Sequence, residues 1–323
     1  MPVSSPTPDA HAPPRDQRPW WRRALPFAIA LGLLSLLISR LDLAMFARHL
    51  RQVNTVGFLA FCFVFSITLL ASDSLATSFV YSRTVCPVRF HEVFLIRGAS
   101  YLPSMLNHHL GQAWLTWYVS RVYKAPLGRV AGATLLVYGT TFGCLLLLGG
   151  VSLALDASSA RWLGPIMIAA SVGAVVYLVV IASRPAILVR RQVLAPLFDV
   201  GVVGHLLAFA LRVPHILVLF LGTWLSFRFF DVDIPPAVAL VTMPVLLVIS
   251  ALPVTPQGVG TRDWFSLHAF SQYAIGDKME QEAAVAATTL SFAVGISIFQ
   301  AALALYLMHR ALRVLAMTKD KAS

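Results

Sequence analysis

Charge is scarce in this chain. Of 323 residues only 12% are charged, with 14 Asp and Glu against 25 Lys and Arg, and 58% are hydrophobic. Globular domains carry about 25% charge, so this scarcity excludes an ordinary soluble domain. Cysteine is also rare. Cys62, Cys86 and Cys144 form no CxxC pair and show no ligand spacing. That excludes a disulfide framework and a cysteine-based zinc site. Cys62 and Cys144 fall in apolar runs and read as buried thiols. No nucleophile elbow, P-loop or metalloprotease motif occurs. Gly258-x-Gly260 lacks the third glycine and the preceding βα context of a dinucleotide fingerprint. No cofactor is expected. Alternation at strand period is missing too, which disfavours a β-barrel.

Long apolar runs are abundant. Mean hydropathy is +0.76. Gln52–Ser72, Val130–Leu155, Trp162–Ser183, Ile234–Thr261 and Ala283–Met308 contain no charged residue. A helix needs about 20 apolar residues to cross a bilayer. The fold class is therefore all-α: a polytopic transmembrane helix bundle of about six to eight spans. The net charge of +11 is spread over membrane-flanking segments with no basic stripe. It reads as positive-inside topology and attraction to anionic headgroups, not as nucleic-acid binding.

Apolar runs fall at 24–41, 53–81, 130–155, 162–183, 200–229, 234–252 and 283–308. Residues 1–20, rich in Pro, Ser and Asp, read as a disordered cytoplasmic tail. Residues 21–312 form the transmembrane domain, and 313–323 a second cytoplasmic tail. Run 24–41 reads as an uncleaved first span, since Arg40, Asp42 and Arg48 follow it instead of a cleavage site. Run 200–229, interrupted by Arg212-Val213-Pro214, is one kinked helix or two pieces. Lys and Arg concentrate before residue 24, in 83–129, in 184–199 and after 309, which places these stretches in the cytoplasm. Loop 41–52, with Arg48 and Arg51, fits poorly outside. Seven spans cannot leave both termini on one side. Either 200–229 hides two spans or 258–276 hides a further membrane-inserted piece.

Two segments resemble each other. "LPSMLNHHLGQAW" begins at Leu102 and "LPVTPQGVGTRDW" at Leu252. Each opens on Leu-Pro, passes small or polar residues and a glycine, reaches a Trp, and precedes a long apolar run. Such Gly/Pro-interrupted pairs mark transporter-type sites built from inverted repeats. The broken, re-entrant segments are expected at 101–118 and 253–272. In the second, Pro253 and Pro256 disfavour helix, while Gly258 and Gly260 permit unusual backbone angles. Thr261 can cap a helix starting near Arg262, with Asp263 in its first turn. Free backbone N–H groups there suit an anion, and Arg262 suits a phosphate. The competing reading is an interfacial loop with Arg262 and Asp263 paired at the water line.

Asp73 is the other intramembrane charge and shares a helix face with Thr77 and Tyr81. A carboxylate in lipid is costly and marks function by default. Its partner is Arg212 or Arg262. His108-His109 has no supporting carboxylate or Cys, so it reads as polar lining of the first broken segment, not as a metal site. Gln112 lies in the same segment. Arg89–Leu102, "RFHEVFLIRGASYL", reads as an amphipathic helix along the cytoplasmic surface.

Gly258-Val259-Gly260-Thr261-Arg262-Asp263 resembles the Gly-x-Gly-x-Arg-Glu signature of the lysylphosphatidylglycerol synthase transmembrane-region family, flippase-like integral membrane proteins. Asp263 stands in place of the usual Glu. Pro103, Gly111 and Arg121 resemble the family's first-half Pro…Gly-Glu…Arg pattern, with Gln112 where the acid is expected. The resemblance implies an inner (plasma) membrane, multi-pass protein with a cytoplasmic N-terminus. Some relatives carry an aminoacyl-transferase domain. The chain past Met308 leaves no room for one, so lipid aminoacylation, and enzyme activity generally, is not expected.

The resulting expectation is a membrane protein that binds and flips a lipid with a phosphate-containing headgroup, an anionic phospholipid or an isoprenoid-linked lipid. Its site is expected to use Arg262, Asp263, Gly258, Gly260, Asp73, Gln112 and His108, with both broken segments meeting near the midplane. Asp263 and Asp73 are expected to hold Arg262 in place or to take part in proton coupling. The alternative is a non-transporting scaffold or accessory subunit for a lipid or cell-envelope biosynthetic enzyme.

Overall fold

In the computed structural model, residues 43–106, 108–155, 163–251 and 260–320 are described. The expected tail 1–20 and the run 24–41 lie outside them.

A short, strongly amphipathic helix comes first, α1 (Leu43–Gln52). Asn54 then caps α2 (Thr55–Thr84), its side-chain oxygen accepting the Gly57 N–H at 3.0 Å. Next come α3 (Phe90–Leu106) and α4 (His108–Val122), and then α5 (Leu127–Leu155) and α6 (Leu163–Ser183). A single turn, α7 (Ala186–Val189), leads into α8 (Ala195–Arg228). α9 (Pro236–Ala251), α10 (Thr261–Phe270) and the very long α11 (Lys278–Asp320) complete the chain. Among the described residues five helices are long and apolar enough to cross a membrane: α2, α5, α6, α8 and α11.

Run 200–229 is part of one helix, α8, broken at Gly201 (φ 62°, ψ 178°) and carrying Pro214 inside. α11 continues helically through 313–320, the stretch expected as a tail. At 43 residues it is about 64 Å long, roughly twice the hydrocarbon thickness.

Among the described residues, the second half holds one membrane-length helix fewer than its apolar runs suggest. α9 has 16 residues, about 24 Å, too short for a span. α10 returns from it. The two ends of this excursion are tied together, Val232 pairing with Ala274 in an antiparallel bridge. The Asp233 N–H also donates to the Tyr273 carbonyl at 3.0 Å. α9 and α10 therefore form a helical hairpin whose outer ends meet, and run 234–252 is one of its arms. The piece suspected in 258–276 is the other.

α3 and α4 make the matching hairpin in the first half. At 17 and 15 residues neither reaches across a bilayer. Their arms touch closely. A Cβ on Gly111 would collide with the Ser104 hydroxyl and the Ser100 carbonyl. Arg89–Leu102 thus does not lie along the surface. Val93, Ile96, Ala99 and Ser100 of α3 are buried, and α3 packs on α11, α4 and α2.

The hairpins open toward opposite faces. Arg129 ties the Thr84 carbonyl to Asp199, so the end of α2 and the starts of α5 and α8 share one face with the mouth of the first hairpin. Arg48 approaches Glu280, so α1 and the start of α11 share the other face. The mouth of the second hairpin lies there. Three membrane-length helices, α5, α6 and α8, separate the hairpins in sequence. That odd number reverses the second half, the arrangement of an inverted repeat.

Candidate functional site

Asp73 is 3% exposed, at the centre of an ion cluster. Its carboxylate takes Arg97 Nε of α3 on one oxygen and Arg212 Nη1 of α8 on the other. Thr77 Oγ1, one turn along α2, donates to Asp73 at 3.4 Å and accepts from Arg212 Nη2 at 3.3 Å. His215 Nδ1 meets Ser72 Oγ at 3.4 Å. Asp73, Thr77 and Tyr81 are all buried on one face of α2, and the Tyr81 hydroxyl reaches Thr134 of α5 at 2.9 Å.

Two guanidinium groups on one carboxylate leave a formal charge of +1 inside the bundle. Arg212 is 1% exposed, and its Nε has no hydrogen-bond partner among the described residues. Removing such charges from water costs several kcal/mol each, and only close pairing offsets it. A surplus cation in this setting favours an anion.

Arg97 was invisible as a site residue because its neighbours suggested a surface helix. A signal was present: residues 98–120 contain no charge. A charge-free stretch of that length directly after Arg97 marks a membrane-inserted hairpin with Arg97 well inside its first arm.

The second hairpin carries the other centre. α10 starts at Thr261, with Gly260 as the capping residue, so Thr261 is not the cap expected from sequence. Gly260 has φ 85°, an angle open to glycine and strained for other residues. With no side chain at that position, Asp263 caps alone, Oδ2 accepting the Gly260 N–H at 2.9 Å. Its Oδ1 takes Arg262 Nε at 3.3 Å and Nη2 at 3.1 Å. Arg262 Nη2 also reaches the Thr289 carbonyl of α11 at 3.4 Å. Asp263 is 1% exposed, while the Arg262 side chain keeps 18% of its surface. Asp263 thus orients Arg262 from below.

Gly260→Ala is expected to cost about 1–3 kcal/mol, since alanine must take the strained angle. A thermal melt of the purified protein in detergent checks this, and an unchanged midpoint counts against the capping geometry.

The structure separates residues that the sequence reading joined. Asp73 holds Arg97 and Arg212, not Arg262. The physical reason is packing: α2 lies against α3 and α8, while Arg262 faces α11. α3, α4 and α10 all pack on α11, which stands between the hairpins where a direct meeting was expected. Gln112 is half-buried on α4, and its carbonyl accepts the Thr116 hydroxyl at 2.8 Å. Gly258 and the His108 side chain lie outside the described residues, as do Pro253 and Pro256. No group of three or more His, Cys, Asp or Glu able to hold a metal occurs among the described residues.

No curated protein and no solved structure matches the chain. The model of the lysylphosphatidylglycerol synthase transmembrane region matches residues 23–304. That match, the helical membrane bundle and the Gly260–Asp263 turn agree: the chain belongs to the lysylphosphatidylglycerol synthase transmembrane-region family, whose members are lipid-related integral membrane proteins.

Proposed function

We propose that this protein binds a lipid with a phosphate-containing headgroup, an anionic phospholipid or an isoprenoid-linked lipid, and moves it between leaflets. One observation carries the reading. Each of two hairpins, inserted from opposite faces, brings one carboxylate-held arginine into the bundle with part of its surface open. Arg97 keeps 14% of its side-chain surface and Arg262 keeps 18%. A guanidinium already oriented by a carboxylate can take a phosphate on its free edge without reordering. Two such stations, reached from opposite sides, suit a headgroup handed across the membrane.

In this reading Arg262 and Arg97 bind the phosphate, and Asp263 and Asp73 position them. Gly260 lets the backbone approach the headgroup. Gln112 supplies polar lining to the first hairpin. The Lys- and Arg-rich face, at the mouth of the first hairpin, is the cytoplasmic one. The N-terminus then lies inside, and the host is the plasma membrane.

The test is scrambling of fluorescent phosphatidylglycerol in proteoliposomes. A charge-assisted hydrogen bond contributes about 1.5–3 kcal/mol, so Arg262→Gln should slow flipping about tenfold or more. Unchanged flipping at equal protein abundance sinks the assignment.

A further inference from the structure

The face opposite the first hairpin carries an unassigned pair of adjoining cavities. One, of about 230 Å³, is the more polar of the two, with Arg48, His49, Gln52, Asp231 and Glu280 beside apolar residues in its lining. The other, of about 340 Å³, is apolar and lined by Phe46, Leu50, Val53, Val294 and Ile298. Phe230 lines both.

The helical period of α1 creates this division. Met45, Arg48, His49 and Gln52 are spaced i, i+3, i+4, i+7 and line the polar cavity. Phe46, Leu50 and Val53 form the neighbouring stripe and line the apolar one. An amphipathic helix of this kind lies in the membrane interface. α11 sets the vertical order. Glu280 and Ala284, near its start, line the polar cavity, while Ser291, Val294 and Ile298, deeper along the helix, line the groove. The groove follows α11 from Leu290 to Ile298, about 12 Å of helix. It is open sideways at bilayer depth, since Val294 is 59% and Ile298 55% exposed.

A polar cavity above an apolar groove, at a membrane interface, has the shape of one lipid. Its charges narrow the choice. Arg48 Nη1 stands 3.7 Å from Glu280 Oε1, a charge contact beyond hydrogen-bond reach. The other Glu280 oxygen accepts the Asp277 N–H at 3.4 Å. One guanidinium beside two carboxylates matches a phosphate joined to an ammonium. The geometry points to an interfacial site for a zwitterionic, ammonium-bearing phospholipid, its headgroup among Arg48, Asp231 and Glu280 and one acyl chain in the groove beneath. This site stands apart from the Arg97 and Arg262 centres and does not depend on translocation.

Native mass spectrometry of the full chain in detergent, with dioleoyl-phosphatidylethanolamine or dioleoyl-phosphatidylglycerol added, tests it. The ethanolamine lipid should be retained about threefold to fivefold better, the worth of a partly exposed ion pair. Glu280→Gln should abolish that preference. Val294→Trp should fill the groove and lower retention of both lipids. Both positions are partly exposed, so thermal melts should stay unchanged. Arg48→Gln gives a second route to lost retention of both lipids. Equal retention of the two lipids by the wild type overturns the proposal, as does full retention in Val294→Trp. A disulfide between Val294→Cys and a cysteine placed within 24–41, in a background lacking Cys62, Cys86 and Cys144, overturns it too. The groove would then be filled by the chain's own first run.

Discussion

Asp73→Ala is expected to destabilise the protein by about 3–5 kcal/mol, the cost of removing one partner from a buried ion pair. The loss comes mainly from Arg212, which is 1% exposed and cannot turn to water. Arg97 keeps 14% of its side-chain surface and is the less enclosed of the two. A specific pattern follows. Asp73→Ala combined with Arg212→Met should be more stable than Asp73→Ala alone, because the orphaned charge is gone and an apolar chain fills the space. Unfolding in mixed micelles measures all three variants. A loss under about 1 kcal/mol for Asp73→Ala would show that water reaches the cluster and that the +1 surplus is not buried.

Gly111→Val is the second large effect, about 1–3 kcal/mol from forced overpacking, with the first hairpin splayed. The added Cβ meets the Ser100 backbone carbonyl as well as the Ser104 side chain. A side chain can rotate away, but a carbonyl in the middle of α3 cannot without breaking the helix. Gly139 is the control. It is helical too, yet nothing lies within 4 Å of its built Cβ. Gly139→Ala should be neutral or stabilising by about 0.5–1 kcal/mol, through helix propensity alone. If both variants behave alike in the same unfolding assay, the close arm contact in the first hairpin is wrong. Because Arg97 sits in α3, Gly111→Val should also disturb the Asp73 cluster and slow lipid scrambling more than its stability loss explains.

The two broken segments were legible at different levels. At Gly260 the break could be read from the sequence, since a glycine at φ 85° acts on its own backbone, whereas Pro103 and Gly111 lie inside α3 and α4 and mark the end of neither helix. Membrane-length helices were legible from windows without charge, because bilayer thickness sets that length directly. What the windows hid was direction. Run 234–252 is apolar enough to be counted as a span, yet α9 turns back, because Val232 and Ala274 pair at the mouth. A hydropathy window has no knowledge of that pairing.

The Arg262-Asp263 pair was readable because the two residues are neighbours and share one turn. Asp73 was readable as costly and Arg212 as one of its two candidate partners, but the choice between Arg212 and Arg262 and the part of Arg97 were not. Arg97 lies 24 residues away and Arg212 lies 139 residues away. Their convergence depends on α3 folding back into the bundle and on α8 lying against α2. By itself the sequence determined the class of protein and the length of its apolar helices, which are local consequences of side-chain solvation. Tertiary structure alone decided which charges meet and from which face each hairpin enters. A buried charge takes whichever opposite charge the packed helices bring within reach, and that follows from the fold of the whole chain.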